Sequence, residues 1–135
     1  MNYRIRLDGL QPSQLFISAE KLKKVLSVFP DDPENLEPLP VKRLRDRTVL
    51  VDGHTRAVAA YLRGMTEIKV YWEQDDLDWE AYDICVGWCL DEGIHGVPDL
   101  ASRVVGPSEY EKLWYERCRV MQTGLASSRR SEGGQ

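Results

Sequence analysis

Three cysteines among 135 residues, with no close-paired framework, do not make a disulfide-stapled secreted fold. Cys85 and Cys89 stand one helical turn apart and Cys118 is remote. His95, the histidine nearest them in sequence, lies past a glycine, so a zinc-type ligand set is missing too. The cysteines read as small buried apolar groups. No apolar run approaches the roughly 20 residues of a membrane-spanning helix. The first residues, Met1 to Leu7, alternate like a strand and lack the apolar core of a signal peptide. The expectation is a cytoplasmic protein with no membrane partner.

A large excess of positive charge is missing as well. The net charge of −4 makes bulk, non-specific adhesion to nucleic acid unfavourable. The charge is unevenly spread. Residues 39–72 carry 7 Lys and Arg against 3 Asp and Glu, whereas residues 73–135 carry 6 against 13. The basic middle third also holds the most chemically suggestive stretch, Val51-Asp52-Gly53-His54-Thr55-Arg56-Ala57.

That stretch lies where an apolar strand pattern, Thr48 to Val51, gives way to a helical one, Thr55 to Arg63. Glycine at a strand-to-helix turn lets backbone N–H groups approach a ligand closely, and the helix directs its positive end to the same point. Asp52, His54, Thr55 and Arg56 surround that end with polar groups. Asp52 reads as a helix cap, a metal ligand or a base. His54 reads as an anion donor, a proton shuttle or a structural histidine. Thr55 adds a hydroxyl or a cap. Arg56 opposes the dipole in a first turn, so its placement asks for an anion to hold or a carboxylate, Asp52 or Asp46, to pair with. Lys42, Arg43, Arg45 and Arg47 fit a solvated face.

The remaining pattern is mixed. Strands are expected at Tyr3–Leu7, Gln14–Ile17, Val41–Leu44, Thr48–Val51 and Glu67–Trp72, the last with Ile68, Val70 and Trp72 on one face. Ser18 should cap a helix burying Leu22, Val25, Leu26 and Phe29. The proline-rich stretch 30–38 is a loop. The central helix should stop at Gly64 and face inward with Val58, Ala59, Leu62 and Met65. Further helices are expected over Asp78–Glu92, stopping at Gly93, and briefly over Pro98–Arg103. A last one follows a capping box at Ser108, with Tyr110, Leu113, Trp114 and Cys118 or Met121 inward. The domain reading is one α+β unit over 1–122, with a core at 1–74 and a helical extension at 75–122. Residues 123–135 read as a disordered Ser/Gly-rich tail.

The segment from Leu39 to Trp72, centred on Val51-Asp52-Gly53-His54-Thr55-Arg56-Ala57, resembles the ParB/sulfiredoxin superfamily. Pro12 to Ser18 resembles its N-terminal segment, so the likeness covers roughly residues 10–72. The resemblance implies a small mixed sheet with helices, in which the glycine turn cradles the phosphates of a nucleotide. Gly53 and Arg56 match the Gly-Cys-His-Arg turn of sulfiredoxins, but His54 stands in place of the cysteine. They also match the Gly-Glu-Arg-Arg turn of partitioning ParB proteins, whose second nucleotide motif and helix-turn-helix are missing here. The Asp-Gly-His-His-Arg turn of the ADP-dependent serine kinase branch is matched at Asp52, Gly53, His54 and Arg56. That branch also uses an N-terminal carboxylate, for which Asp8 and Glu20 are candidates.

The resemblance therefore implies a phosphate-bearing small-molecule partner, with ATP, ADP or CTP as the nucleotide and Mg²⁺ as the metal. Asp52 and His54 are the catalytic candidates, and Gly53, His54, Thr55 and Arg56 hold the cofactor. Asp52 is the metal ligand. The reaction class is phosphoryl transfer or phosphodiester hydrolysis. Two other functions remain open: a DNA-binding, nuclease-like module, and a non-catalytic interaction domain that forms a homodimer.

Overall fold

A computed structural model of the chain describes residues 3–133. Strand β1 (Tyr3–Arg6) leads through a single 3₁₀ turn at Leu7–Gly9 into an irregular segment, then into β2 (Ile17–Ser18). Helix α1 (Ala19–Ser27) begins where expected, because the Ser18 hydroxyl accepts the Lys21 N–H at 3.3 Å. The proline-rich stretch that follows is a loop with one 3₁₀ turn at Pro33–Asn35.

Strands β3 (Leu39–Leu44) and β4 (Arg47–Leu50) form a hairpin, with Leu44 opposite Arg47. Its two-residue loop places Arg45 at φ 53° and Asp46 at φ 57°. This is the twist such short loops favour, although glycine or asparagine usually supplies it. Helix α2 (His54–Leu62) and strand β5 (Glu67–Trp72) complete the central unit. Gly64, at φ 86°, is the left-handed cap expected between them.

The main sheet runs β1-β5-β3-β4, with β5 parallel to β3 and antiparallel to β1. Gln11 extends the sheet beyond β4, donating its N–H to Thr48 O and accepting from Leu50 N–H. Leu39 and Val41 of β3, Ile68 and Val70 of β5, and Ala57 to Ala60 of α2 are buried in one core. Helix α2 leaves Leu62 half exposed, contrary to its expected inward place, because the small side chains of Ala57, Ala59 and Ala60 take the buried positions. Trp72 also departs from its expected face. It is the last residue of β5, 41% exposed, and packs on Tyr3 with ring centroids 5.5 Å apart.

The second half is helical and belongs to the same core. Helix α3 (Trp79–Asp91) is capped by Asp78, which accepts the Ala81 N–H, and ends before Gly93 at φ 76°. It buries Ala81, Cys85, Val86 and Cys89. Helix α4 (Val97–Leu100) and strand β6 (Val104–Val105) follow, and β6 pairs in parallel with β2. Arg103 closes this seam by donating Nε–H to Leu15 O at 2.7 Å while its guanidinium pairs with Glu92.

The last helical stretch opens as α5 (Pro107–Tyr110), passes through one π-helical turn at Glu111–Tyr115, and continues as α6 (Glu116–Gly133). Gly106 is the cap and Pro107 the first helical residue, so Ser108 lies inside the helix rather than capping it. Tyr110 and Trp114 are buried as expected, but Leu113 is 42% exposed. Chain expected to be disordered from residue 123 is helical to Gly133. Composition understated a tertiary tie: Arg129 reaches back to Asp78 and Glu80 at the start of α3. Gln135 and its neighbour 134 lie outside the described residues. The whole is an α+β fold, and no helix among the described residues is long and apolar enough to cross a membrane.

Candidate functional site

Leaving β4 at Leu50, the chain pairs once more with β3, Val51 N–H donating to Pro40 O, and must reverse within two residues to start α2. Gly53 makes this possible. It adopts φ 82°, and a Cβ there would sit 2.8 Å from Leu39 Cδ2 and 2.9 Å from Arg56 Nη2. The glycine is thus required by both its dihedral and the space above it. Arg56 folds back over the turn instead of extending into solvent.

Asp52 is exposed and does not cap α2. Its Oδ1 accepts the Gly53 N–H at 2.8 Å. No side chain caps this helix, and the N–H groups of His54, Thr55 and Arg56 have no acceptor among the described residues. Arg56, half-buried, makes no ion pair or side-chain hydrogen bond among them. The expected pairing alternatives, Asp52 and Asp46, are therefore not used.

His54 is placed differently from its neighbours. The ring is buried, and Nε2 accepts the Ser13 backbone N–H at 3.0 Å, which fixes the proton on Nδ1. Burial lowers its pKa from 6.5 to about 4, and the nearby Asp52 carboxylate offsets only part of this. The neutral imidazole anchors the segment before β2 to the turn. Ser13 Oγ, donating to Leu50 O at 2.7 Å, anchors it a second time.

Two clefts meet at the turn. One, of about 420 Å³, is lined by Gly53, Thr55 and Arg56, and on the opposite wall by Lys21 and Lys24 of α1. The other, of about 470 Å³, shares Asp52 and Arg56 and is walled by Tyr71, Leu77 and Tyr82. Sequence reasoning missed the two lysines, which lie some thirty residues upstream and reach the site only because α1 packs beside α2. Their i, i+3 spacing on one helical face was the available signal. Lys21 is steadied by the Tyr115 hydroxyl and lies over the Tyr110 and Tyr115 rings at 5.4 and 5.2 Å. Lys24 approaches Glu20 at 3.7 Å, on an exposed surface.

Other sequence candidates lie elsewhere. Lys42 sits over the Trp79 ring, Arg43 reaches Thr48, Arg45 pairs with Asp83, and Arg47 donates to Gln11. Asp8 pairs with Arg6, and that neighbour holds its carboxyl below the ordinary range. Among the described residues, no three His, Cys, Asp or Glu side chains converge to hold a metal. Asp52 could serve a cation only as one ligand beside those of a bound molecule.

No family model matches the chain, and no curated protein does. Among solved structures it is similar to protein Atu1540 from Agrobacterium tumefaciens, with a TM-score of 0.53 at 17% identity. The match covers 74% of this chain and spans 61% of the other. At that identity the likeness extends to the fold alone.

Proposed function

We propose that the domain binds a phosphate-bearing small molecule, most simply a nucleotide, at the start of α2, and that the unit is of ParB/sulfiredoxin type. The observation that carries this is Arg56: a half-buried guanidinium without a carboxylate partner, folded over Gly53 beside open helix amides. Lys21 and Lys24 face it across the same cleft. An arginine left unpaired against the positive end of a helix is unfavourable until an anion arrives. A phosphate would accept from the amides and from the guanidinium at once.

In this reading Asp52 is the chemical group. It is exposed, borders both clefts, and would act as a base or bridge to a phosphate-bound Mg²⁺. Phosphoryl transfer suits such a site, since positioning and charge stabilisation supply most of that catalysis. His54 positions the turn.

Calorimetry with ATP, ADP, CTP and pyrophosphate, with and without Mg²⁺, tests the reading. Arg56→Ala should weaken binding at least about tenfold, in line with the roughly 1.5–3 kcal/mol of a hydrogen bond to a charged group, while leaving the circular dichroism spectrum unchanged. Equal affinity in that variant removes the site. Duplex DNA binding with a steep salt dependence, and no nucleotide binding, would favour the nuclease-like module instead.

A further inference from the structure

On the other side of Asp52 lies a third cavity, of about 290 Å³, between α3 and α6. Its walls carry two sulfhydryls, Cys85 from α3 and Cys118 from α6, and the function proposed above uses neither. The two thiols are neighbours on the lining of this one cavity, and each shifts the other's proton affinity. Cys85 is buried, whereas Cys118 is partly exposed along a cavity far larger than a water-sized oxidant. Cys89, one turn away, contrasts with both. It is fully buried, donates to Gln14 O at 3.6 Å, and lines none of the clefts around the turn.

We propose that Cys85 and Cys118 form a peroxide-sensitive dithiol that closes to a disulfide across this cavity and bolts α6 to α3. The order of attack follows from the surroundings. Cys118 is the accessible partner, and the adjacent Cys85 thiol, helped by the neighbouring Arg117 guanidinium, lowers its pKa. The adjacent Cys118 sulfur, and after it burial, push the Cys85 thiol up, so it stays protonated until a better electrophile forms.

The Cys118 thiolate attacks one oxygen of hydrogen peroxide, the O–O bond breaks, and hydroxide leaves with the displaced electron pair. The product is a sulfenic acid on Cys118. Cys85 then attacks the Cys118 sulfur, the S–O bond breaks, and the Cys85 proton leaves with that hydroxyl as water. Two thiols and one peroxide give one disulfide and two waters. The bridge would close a loop from 85 to 118 and narrow a cavity that Asp52 and His54 also border. This device does not depend on what the neighbouring clefts bind.

The test treats the folded, reduced protein with hydrogen peroxide in native buffer, followed by acid quench, alkylation and peptide mapping. The expected result is a mass loss of about two daltons, with one new linked pair of peptides, those bearing Cys85 and Cys118, reversed by a reducing agent. Cys89→Ser should leave the reaction intact. Cys118→Ser should abolish it, and Cys85→Ala should stop at the sulfenic or sulfinic acid on Cys118. The wild-type map decides the matter even if a variant folds poorly. A sulfinic acid on Cys118 with Cys85 still free, a bridge to Cys89, or thiols that stay reduced in the folded protein would each overturn the proposal.

Discussion

His54 Nε2 accepts the Ser13 backbone N–H at 3.0 Å, inside the protein and beside the glycine turn. This bond exists only while the imidazole is neutral. The folded-state pKa is lowered from 6.5 to about 4, chiefly by burial. A depressed histidine pKa means that the unfolded chain takes up a proton first as pH falls. Stability is therefore complete above pH 6.5 and erodes as pH drops toward about 4, below which the histidine contributes no further slope. At about 1.4 kcal/mol per unit, the loss is on the order of 3 kcal/mol. Urea midpoints between pH 7 and 4 should fall in the wild type, and the part of the slope due to this residue should vanish in His54→Gln. An identical slope in both proteins would remove His54 from the account.

Gly53 and Gly64 both have positive φ, 82° and 86°, yet they should respond differently to alanine. At Gly64 a Cβ meets nothing within 4 Å, so only the left-handed backbone opposes it, at roughly 1 kcal/mol. At Gly53 the same Cβ strikes Leu39 and the Arg56 guanidinium. Overpacking then adds about 1–3 kcal/mol, and Arg56 is displaced from the cleft. Gly53→Ala should lose both stability and anion binding, whereas Gly64→Ala should lose a little stability only. Denaturation together with pyrophosphate titration separates the two.

These two glycines were legible in the sequence because a turn between a strand and a helix leaves few alternatives to positive φ. The Ser18 cap and the buried pair Ile68 and Val70 were legible for a similar reason: cap chemistry and strand alternation act over a few residues. What periodicity missed is tertiary. Leu62 and Leu113 stand at apolar positions of their helices but meet no opposing layer. Lys21 and Lys24 became candidates only when α1 packed against α2. The Arg45–Asp46 loop adopts a conformation its residues do not favour, and Arg45 is held there by two hydrogen bonds to Asp83 on α3. The Asp52 turn itself was found at sequence level, but its hydrogen bonding was not. Asp52 binds the adjacent N–H, and His54 is turned inward.

Gln11 should prove more important than an ordinary polar residue. It is 1% exposed and joins three parts of the chain. Its backbone extends the sheet beside β4, while its side-chain amide donates to Pro12 O at 2.9 Å and Ile94 O at 2.8 Å. Gln11→Leu keeps the bulk but leaves two buried carbonyls without that donor. The expected cost is about 1–3 kcal/mol, read as a lowered urea midpoint. A midpoint within error of the wild type would mean that water or a backbone shift replaces the amide.

Arg129 on α6 pairs with Asp78 at 2.9 Å and Glu80 at 2.7 Å, across the sequence to the first turn of α3. All three side chains are exposed, so solvent and salt screen the pairs, and global stability should barely register their loss. The local effect should be larger. Residues 122–131 are mostly polar and make little of the core, so the order of this segment rests on that contact more than on burial. In Arg129→Ala, backbone amides from about residue 124 onward should exchange markedly faster, while those of Tyr110 to Cys118 keep their protection. The same acceleration should appear in wild-type protein at high salt, because charge screening weakens the contact without removing the side chain. Unchanged exchange in both cases would show that α6 holds its C-terminal turns by helix propensity alone.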